Sequence, residues 1–200
     1  MLSSDEILRL LEELAADLEA RGIHGDLFLV GGAAMALAYS KRRATRDLDA
    51  VFEPKQVVYE AVRRIAEHED LPPDWLNDGV KAFLPGDDHN ATLLFDRPGL
   101  SVRIASPRYL FAMKALAARV ERDEADLRVL YRLSGFESAA QALDFVQEMY
   151  PHRPLPPRAQ YLLEELFSIE GLEAQERRVQ GEIEDFHAGD RLDRDEFHDR

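Results

Sequence analysis

The chain has 200 residues, 46% of them apolar, with no cysteine and a formal net charge of −14. This is enough apolar material for a core, and it excludes disulfides, thiolate metal sites and cysteine nucleophiles. No window supplies the ~18 uncharged apolar residues of a membrane span, and the charged stretch 1–21 is unlike a secretion signal, so a cytoplasmic protein without membrane partners is expected. The charge is uneven. From Glu164 onward 13 acids face 5 bases, whereas residues 1–163 carry only a net −6, and no broad basic footprint for duplex nucleic acid appears.

Ser3 and Glu6 have capping-box spacing, and Ile7, Leu8, Leu11, Leu14 and Leu18 form a helical stripe that Gly22 ends. Leu27–Val30 reads as a buried strand broken by Gly31-Gly32, with a short small-residue helix from Ala33 to Tyr39. A polar connection, Ser40 to Arg46, leads to a second strand, Asp47–Phe52. Lys55–Glu69 is a helix, closed by Leu71-Pro72-Pro73. Residues 74–90 suggest loops around a short helix, with Trp75 as core or lid packing. Ala91–Phe95 and Leu100–Ala105 are spaced as a hairpin. Ser106-Pro107 starts a helix to about Arg122. Helices over Glu124–Ser134 and Ser138–Tyr150 follow. Residues 151–157 hold four prolines and read as a linker, and a last helix from Tyr161 to Phe167 decays into an acidic tail.

This order predicts an α/β (α+β) fold, a small mixed sheet flanked by helices with a C-terminal helical part. The expected divisions are an α/β core over 1–105, helices packed on it over 106–150, and linker, last helix and tail over 151–200.

Alternation places Asp47 and Asp49 on one face of the second strand. Two adjacent carboxylates repel unless a cation sits between them, and Mg²⁺ or Mn²⁺ accepts such a pair together with water and phosphates. A lone Asp-x-Asp has an ordinary reading as surface acids, so its context matters. Gly31 and Gly32 expose backbone amides where phosphate oxygens can approach. Lys41, Arg42, Arg43 and Arg46 crowd the connection together with Thr45. Lys114 stands in an otherwise apolar helix, where it needs a partner, a phosphate or a route to solvent. No P-loop, Gly-x-Ser-x-Gly or His-x3-His spacing is present.

The stretch from Phe28 through Gly31-Gly32 to Thr45-Arg46-Asp47-Leu48-Asp49 resembles the signature of the DNA polymerase β-like nucleotidyltransferase superfamily, and looks closest to its bacterial AbiEii-like toxin and related branches. Ser106–Arg119 followed by Arg122–Leu127 is similar to a second block of those relatives, and the resemblance spans residues 25–135. It implies a nucleotidyltransferase core that uses Mg²⁺ on Asp47 and Asp49 and an NTP such as ATP as substrate. Gly31, Gly32, Arg43, Thr45, Arg46 and Arg103 are the implied nucleotide-binding residues. Lys114 and Asp126 join the two aspartates as implied catalytic residues, with Asp123 as a rival for Asp126. The implied acceptor is a tRNA end or a protein hydroxyl, and the implied role is the toxin of a toxin–antitoxin pair with a cognate antitoxin as partner. Two departures stand out. Gly32 replaces a serine common at the turn, and Arg103 stands on the strand where a third acid is usual; either a two-carboxylate site suffices, as some toxin-like relatives imply, or another acid such as Asp96 or Asp126 contributes. A catalytically inactive nucleotide- or partner-binding module is the alternative.

Overall fold

The computed structural model describes residues 1–40, 44–117 and 120–184. The capping box forms as the sequence predicts: Ser3 Oγ accepts from Glu6 N and Ser3 N donates to Glu6 Oε2. Helix α1 runs Ser4–Ala20 and stops at Gly22, whose φ of +68° suits glycine. Strand β1, Gly25–Leu29, leads into the short helix α2, Gly31–Ala34, continued by a π-helical turn, Met35–Tyr39. Strand β2 is Leu48–Glu53 and helix α3 is Lys55–Glu69. Then come β3, Leu76–Asn77, the hairpin β4, Thr92–Arg97, with β5, Leu100–Ile104, and helices α4, Pro107–Ala117, α5, Val120–Ser134, α6, Ala139–Met149, and α7, Pro157–Glu184.

The five strands make one mixed sheet in the order β3-β2-β1-β5-β4. Central β1 is antiparallel to β2 and parallel to β5. Alternation divides each strand between two faces. Leu27, Leu29, Leu48, Ala50, Phe52, Leu100, Val102 and Ile104 are buried, and α1 packs on β5 and α3 on β2 while the two helices touch each other. Gly99 in the hairpin turn lies so close to α1 that a Cβ there would sit 2.0 Å from the Ala15 carbonyl oxygen. Trp75 is wholly enclosed: its Nε1 donates to the Val62 carbonyl at 3.1 Å and its own carbonyl accepts from Leu48 N at 2.7 Å. It is core.

The helical part completes the α+β arrangement. Tyr109, Leu110, Phe111, Ala112 and Ala115 of α4 are buried with Leu127 and Leu130 of α5 and Val146 of α6. The proline-rich segment is anchored too. Leu155 is buried, and Ala159, Leu162, Leu163 and Leu166 of α7 join the same core. Proline at the first position of α7 is compatible with its onset, because the missing N–H has no intrahelical acceptor there.

Candidate functional site

The site begins where β1 ends. Val30 N donates to the Asp49 carbonyl at 3.0 Å, which brings the glycine turn against β2. Gly31 has φ +61°, and a Cβ there would meet Asp49 Oδ2 at 2.8 Å. Both facts demand glycine, since a side chain would strain the backbone and press on the carboxylate. A Cβ on Gly32 would meet Thr45 Oγ1 at 2.6 Å. The space a serine would need at position 32 is therefore taken by the Thr45 hydroxyl, which brings a hydroxyl to this turn from the other segment.

Thr45 is itself held. It forms an isolated antiparallel bridge with Leu2 (Leu2 N to Thr45 O 2.6 Å, Thr45 N to Leu2 O 3.0 Å), and its Oγ1 donates to the Asp47 carbonyl at 2.9 Å. These bonds keep residues 45–47 in a bridge and bend, so β2 starts at Leu48 and Asp47 lies just ahead of the strand, exposed. The expectation that Asp47 is a strand residue is corrected here, because side-chain and N-terminal hydrogen bonds compete with the ladder. Arg46 is exposed on the same bend. Lys41, Arg42 and Arg43 fall outside the described residues.

A second group sits on the helices. Lys114 Nζ lies 2.8 Å from Asp123 Oδ1 and 2.9 Å from Asp126 Oδ2, with side-chain exposures of 14%, 12% and 3% respectively. The lysine thus finds carboxylate partners inside the fold, and both acids weighed for its companion contact it. Helix α5, which carries those acids, packs against the π-helical turn Met35–Tyr39 that follows the glycines. The end of that turn is fixed by Tyr39, whose hydroxyl donates to the Ala105 carbonyl at 2.8 Å; burial pushes its pKa up to about 12.

The remaining predicted residue, Arg103, lies on the sheet face that α1 and α3 leave uncovered, the face that also carries Asp49. Strand register arranges this face in rows. Val51, Phe28, Arg103 and Leu93 form one row, and Glu53, Asp26, Ser101 and Asp96 form the next. Tyr109 packs edge-on against Phe28, centroids 5.6 Å apart. Asp26, Phe28, Val51, Glu53, Ser101 and Arg103 line a shallow hollow of about 400 Å³. Asp26 and Glu53 were not singled out from the sequence. The signal was present, since both lie at even spacing from residues of the Asp49 face.

Asp47 and Asp49 offer hard carboxylate oxygens, and the missing Cβ of Gly31 leaves Asp49 room beside the turn. Oxygens of this kind are the ones a small divalent ion takes together with water and phosphates. A different trio, Glu13, His68 and Glu69, brings three candidate ligand atoms within 4.8 Å of one another. Arg9 binds its carboxylates, 2.5 Å from Glu69 and 3.5 Å from Glu13, and the Arg9 hydrogen bond is the main cause that holds the Glu69 carboxyl below its ordinary value. We read it as a surface ion-pair network between α1 and α3. Among the described residues, no helix is long and apolar enough to cross a membrane. Comparison with protein-family models, curated proteins and solved structures gives no match.

Proposed function

We propose that the protein is a metal-dependent nucleotidyltransferase, which moves a nucleoside monophosphate from an NTP to an acceptor hydroxyl. The observation that carries this is the direct packing of the bare Gly31-Gly32 turn on Asp49 and Thr45. It unites the phosphate-type turn and the acidic strand, which are separated by a basic connection in sequence.

In this reading the Gly31 and Gly32 amides bind phosphate oxygens, the Thr45 hydroxyl joins them by turning away from the Asp47 carbonyl it now donates to, and Arg103 and Arg46 add positive charge. Asp47 and Asp49 would hold Mg²⁺ or Mn²⁺, which when bound offsets the charge of the departing pyrophosphate. The acceptor oxygen attacks the α-phosphorus and forms the new O–P bond. The bond from that phosphorus to the bridging oxygen breaks, pyrophosphate leaves with its electron pair, and the acceptor proton passes to water. Lys114, held by Asp123 and Asp126, braces α4 against α5, the helix that packs on the Met35–Tyr39 turn after the glycines. Participation of the protein in a toxin–antitoxin pair belongs to the same proposal and rests on the sequence resemblance alone.

Arg103 favours a second reading, a nucleotide-binding module without turnover, because it brings a cation to the strand where a third acid would serve catalysis. Incubation with each labelled NTP, Mg²⁺ or Mn²⁺, and total RNA or protein acceptors separates the two. The enzyme transfers label, and Asp47→Asn and Asp49→Asn abolish the transfer. Tight NTP binding without transfer under all these conditions would establish the module instead.

A further inference from the structure

The uncovered sheet face says what kind of acceptor fits. Along β2 the side chains on this face run Asp49, Val51, Glu53, and each step of two residues spans ~7 Å. Beyond the apolar row of Val51 and Phe28 lies a row in which Glu53, Asp26, Ser101 and Asp96 stand side by side across four strands. Asp26 and Glu53 are direct cross-strand partners, so their Cβ atoms are about 4.5–5.5 Å apart, a like-charge placement that weakens a sheet. Both are exposed. Neither belongs to an ion pair among the described residues, and Glu53 Oε2 accepts only the Lys55 backbone N–H at 3.2 Å. Asp96 is bound by the Ser101 hydroxyl, and His24 Nε2 lies 3.1 Å from Ser101 Oγ. Arg103 belongs to the middle row, one row nearer Asp49. The face therefore carries one cation, Arg103, in its middle row, and three carboxylates in the row farthest from Asp49.

We propose that this acidic row docks a basic segment of a polypeptide acceptor, whose serine, threonine or tyrosine hydroxyl lies over Asp49. The proposal rests on the nucleotidyl-transfer reading and narrows its acceptor from RNA or protein to protein. Phosphates of an RNA would face three carboxylates here, a like-charge juxtaposition that rejects a partner. A lysine or arginine meets them favourably, and its aliphatic stem covers Phe28 and Val51. The spacing follows from the strand. Glu53 is ~13 Å from Asp49 along β2, which an extended peptide covers in about four residues, or in two to three when the basic side chain reaches forward.

The test uses the full chain and two fluorescein-labelled peptides, one with a central serine and lysines three residues away on both sides, the other with glutamines in their place, together with an oligouridylate of similar length. Two exposed charge pairs in the middle of the usual range together correspond to about tenfold in affinity. The lysine peptide should bind about tenfold tighter than the glutamine peptide and the RNA, in a salt-sensitive way. The preference should disappear in Asp26→Asn/Glu53→Gln, and Asp26→Lys/Glu53→Lys should prefer a glutamate peptide. Equal binding of the peptides, tighter binding of the RNA, or an unchanged preference in Asp26→Asn/Glu53→Gln overturns the docking assignment. Label transfer from NTP is scored separately. Acid-dependent peptide binding without transfer overturns the enzyme reading and keeps the docking surface, whereas transfer to RNA alone does the reverse.

Discussion

Replacing Gly32 by serine, the residue common at this turn in the resembling family, is expected to damage this protein unless Thr45 is trimmed as well. The new Cβ would lie 2.6 Å from Thr45 Oγ1 and 3.2 Å from Thr45 Cβ, where ordinary contact begins near 3.4 Å. Thr45 has little freedom to withdraw, because its backbone is bonded in both directions to Leu2 and its hydroxyl to Asp47. Opening about 0.8 Å against that restraint should cost roughly 1–3 kcal/mol, or about 3–10 °C in Tm for a chain of this size. Thr45→Ala alone loses one hydrogen bond, about 1 kcal/mol. In the double variant the tightest of these contacts is the 3.2 Å one, which needs only a few tenths of an ångström. Its stability should lie near that of Thr45→Ala, with a coupling of about 1–2 kcal/mol. Urea unfolding of the four proteins, followed by circular dichroism, measures this cycle. A coupling below about 0.5 kcal/mol, the level of additivity between independent sites, would refute the idea that the Thr45 hydroxyl occupies the place of the missing side chain.

Gly31→Ala forces an alanine to φ +61° and its Cβ onto Asp49; it should lose about 1–3 kcal/mol in unfolding experiments and weaken NTP binding in calorimetry, and an unchanged Tm would contradict the strain. Lys114→Met leaves Asp123 and Asp126 without their shared cation in a largely buried place. It should cost about 3–5 kcal/mol, and adding Asp123→Asn and Asp126→Asn should restore part of the loss. The Asp78 carboxyl is held below its ordinary value of 3.8, first by Lys55 and then by the Tyr59 hydroxyl. Its folded pKa lies below its unfolded one, so its contribution to stability is complete above about pH 4 and fades as the pH falls through the lower folded value. Asp78→Asn should therefore lower Tm at pH 7 and lower it progressively less as the pH falls below 3.8, a difference that thermal scans across pH 2–7 would reveal.

The sequence disclosed the parts with local signals. The capping box, the alternation of Leu27, Leu29, Leu48 and Ala50, and the hairpin spacing around Gly99 each follow from nearby residues. The features it concealed depend on distant partners. Strand β3 has only two residues and exists through its parallel pairing with Leu48 and Asp49. Asp47 leaves the strand because Leu2, forty-three positions before Thr45, captures the preceding segment. The juxtaposition of Gly31 with Asp49 was legible as an order of motifs, while the distances came only with the antiparallel pairing of β1 and β2. Lys114 was visible as an oddity in an apolar helix. That both Asp123 and Asp126 engage it depends on how α4 and α5 meet.

The position of the strands along the chain has a consequence for biogenesis. Among the described residues every strand of the sheet lies before Ala105, so on the ribosome the chain emerges with these strands, its glycine turn and Asp49 ahead of Lys114 and its two acids. Domains fold as units with the N-terminal part available first, and here that part includes the open face and its two half-buried apolar residues, Phe28 and Val51. Tyr109, which covers an edge of Phe28, arrives only with α4. During that interval the carboxylates of Asp26, Glu53 and Asp96 line one side of the bare patch, so two nascent chains that meet with these rows opposed repel each other there.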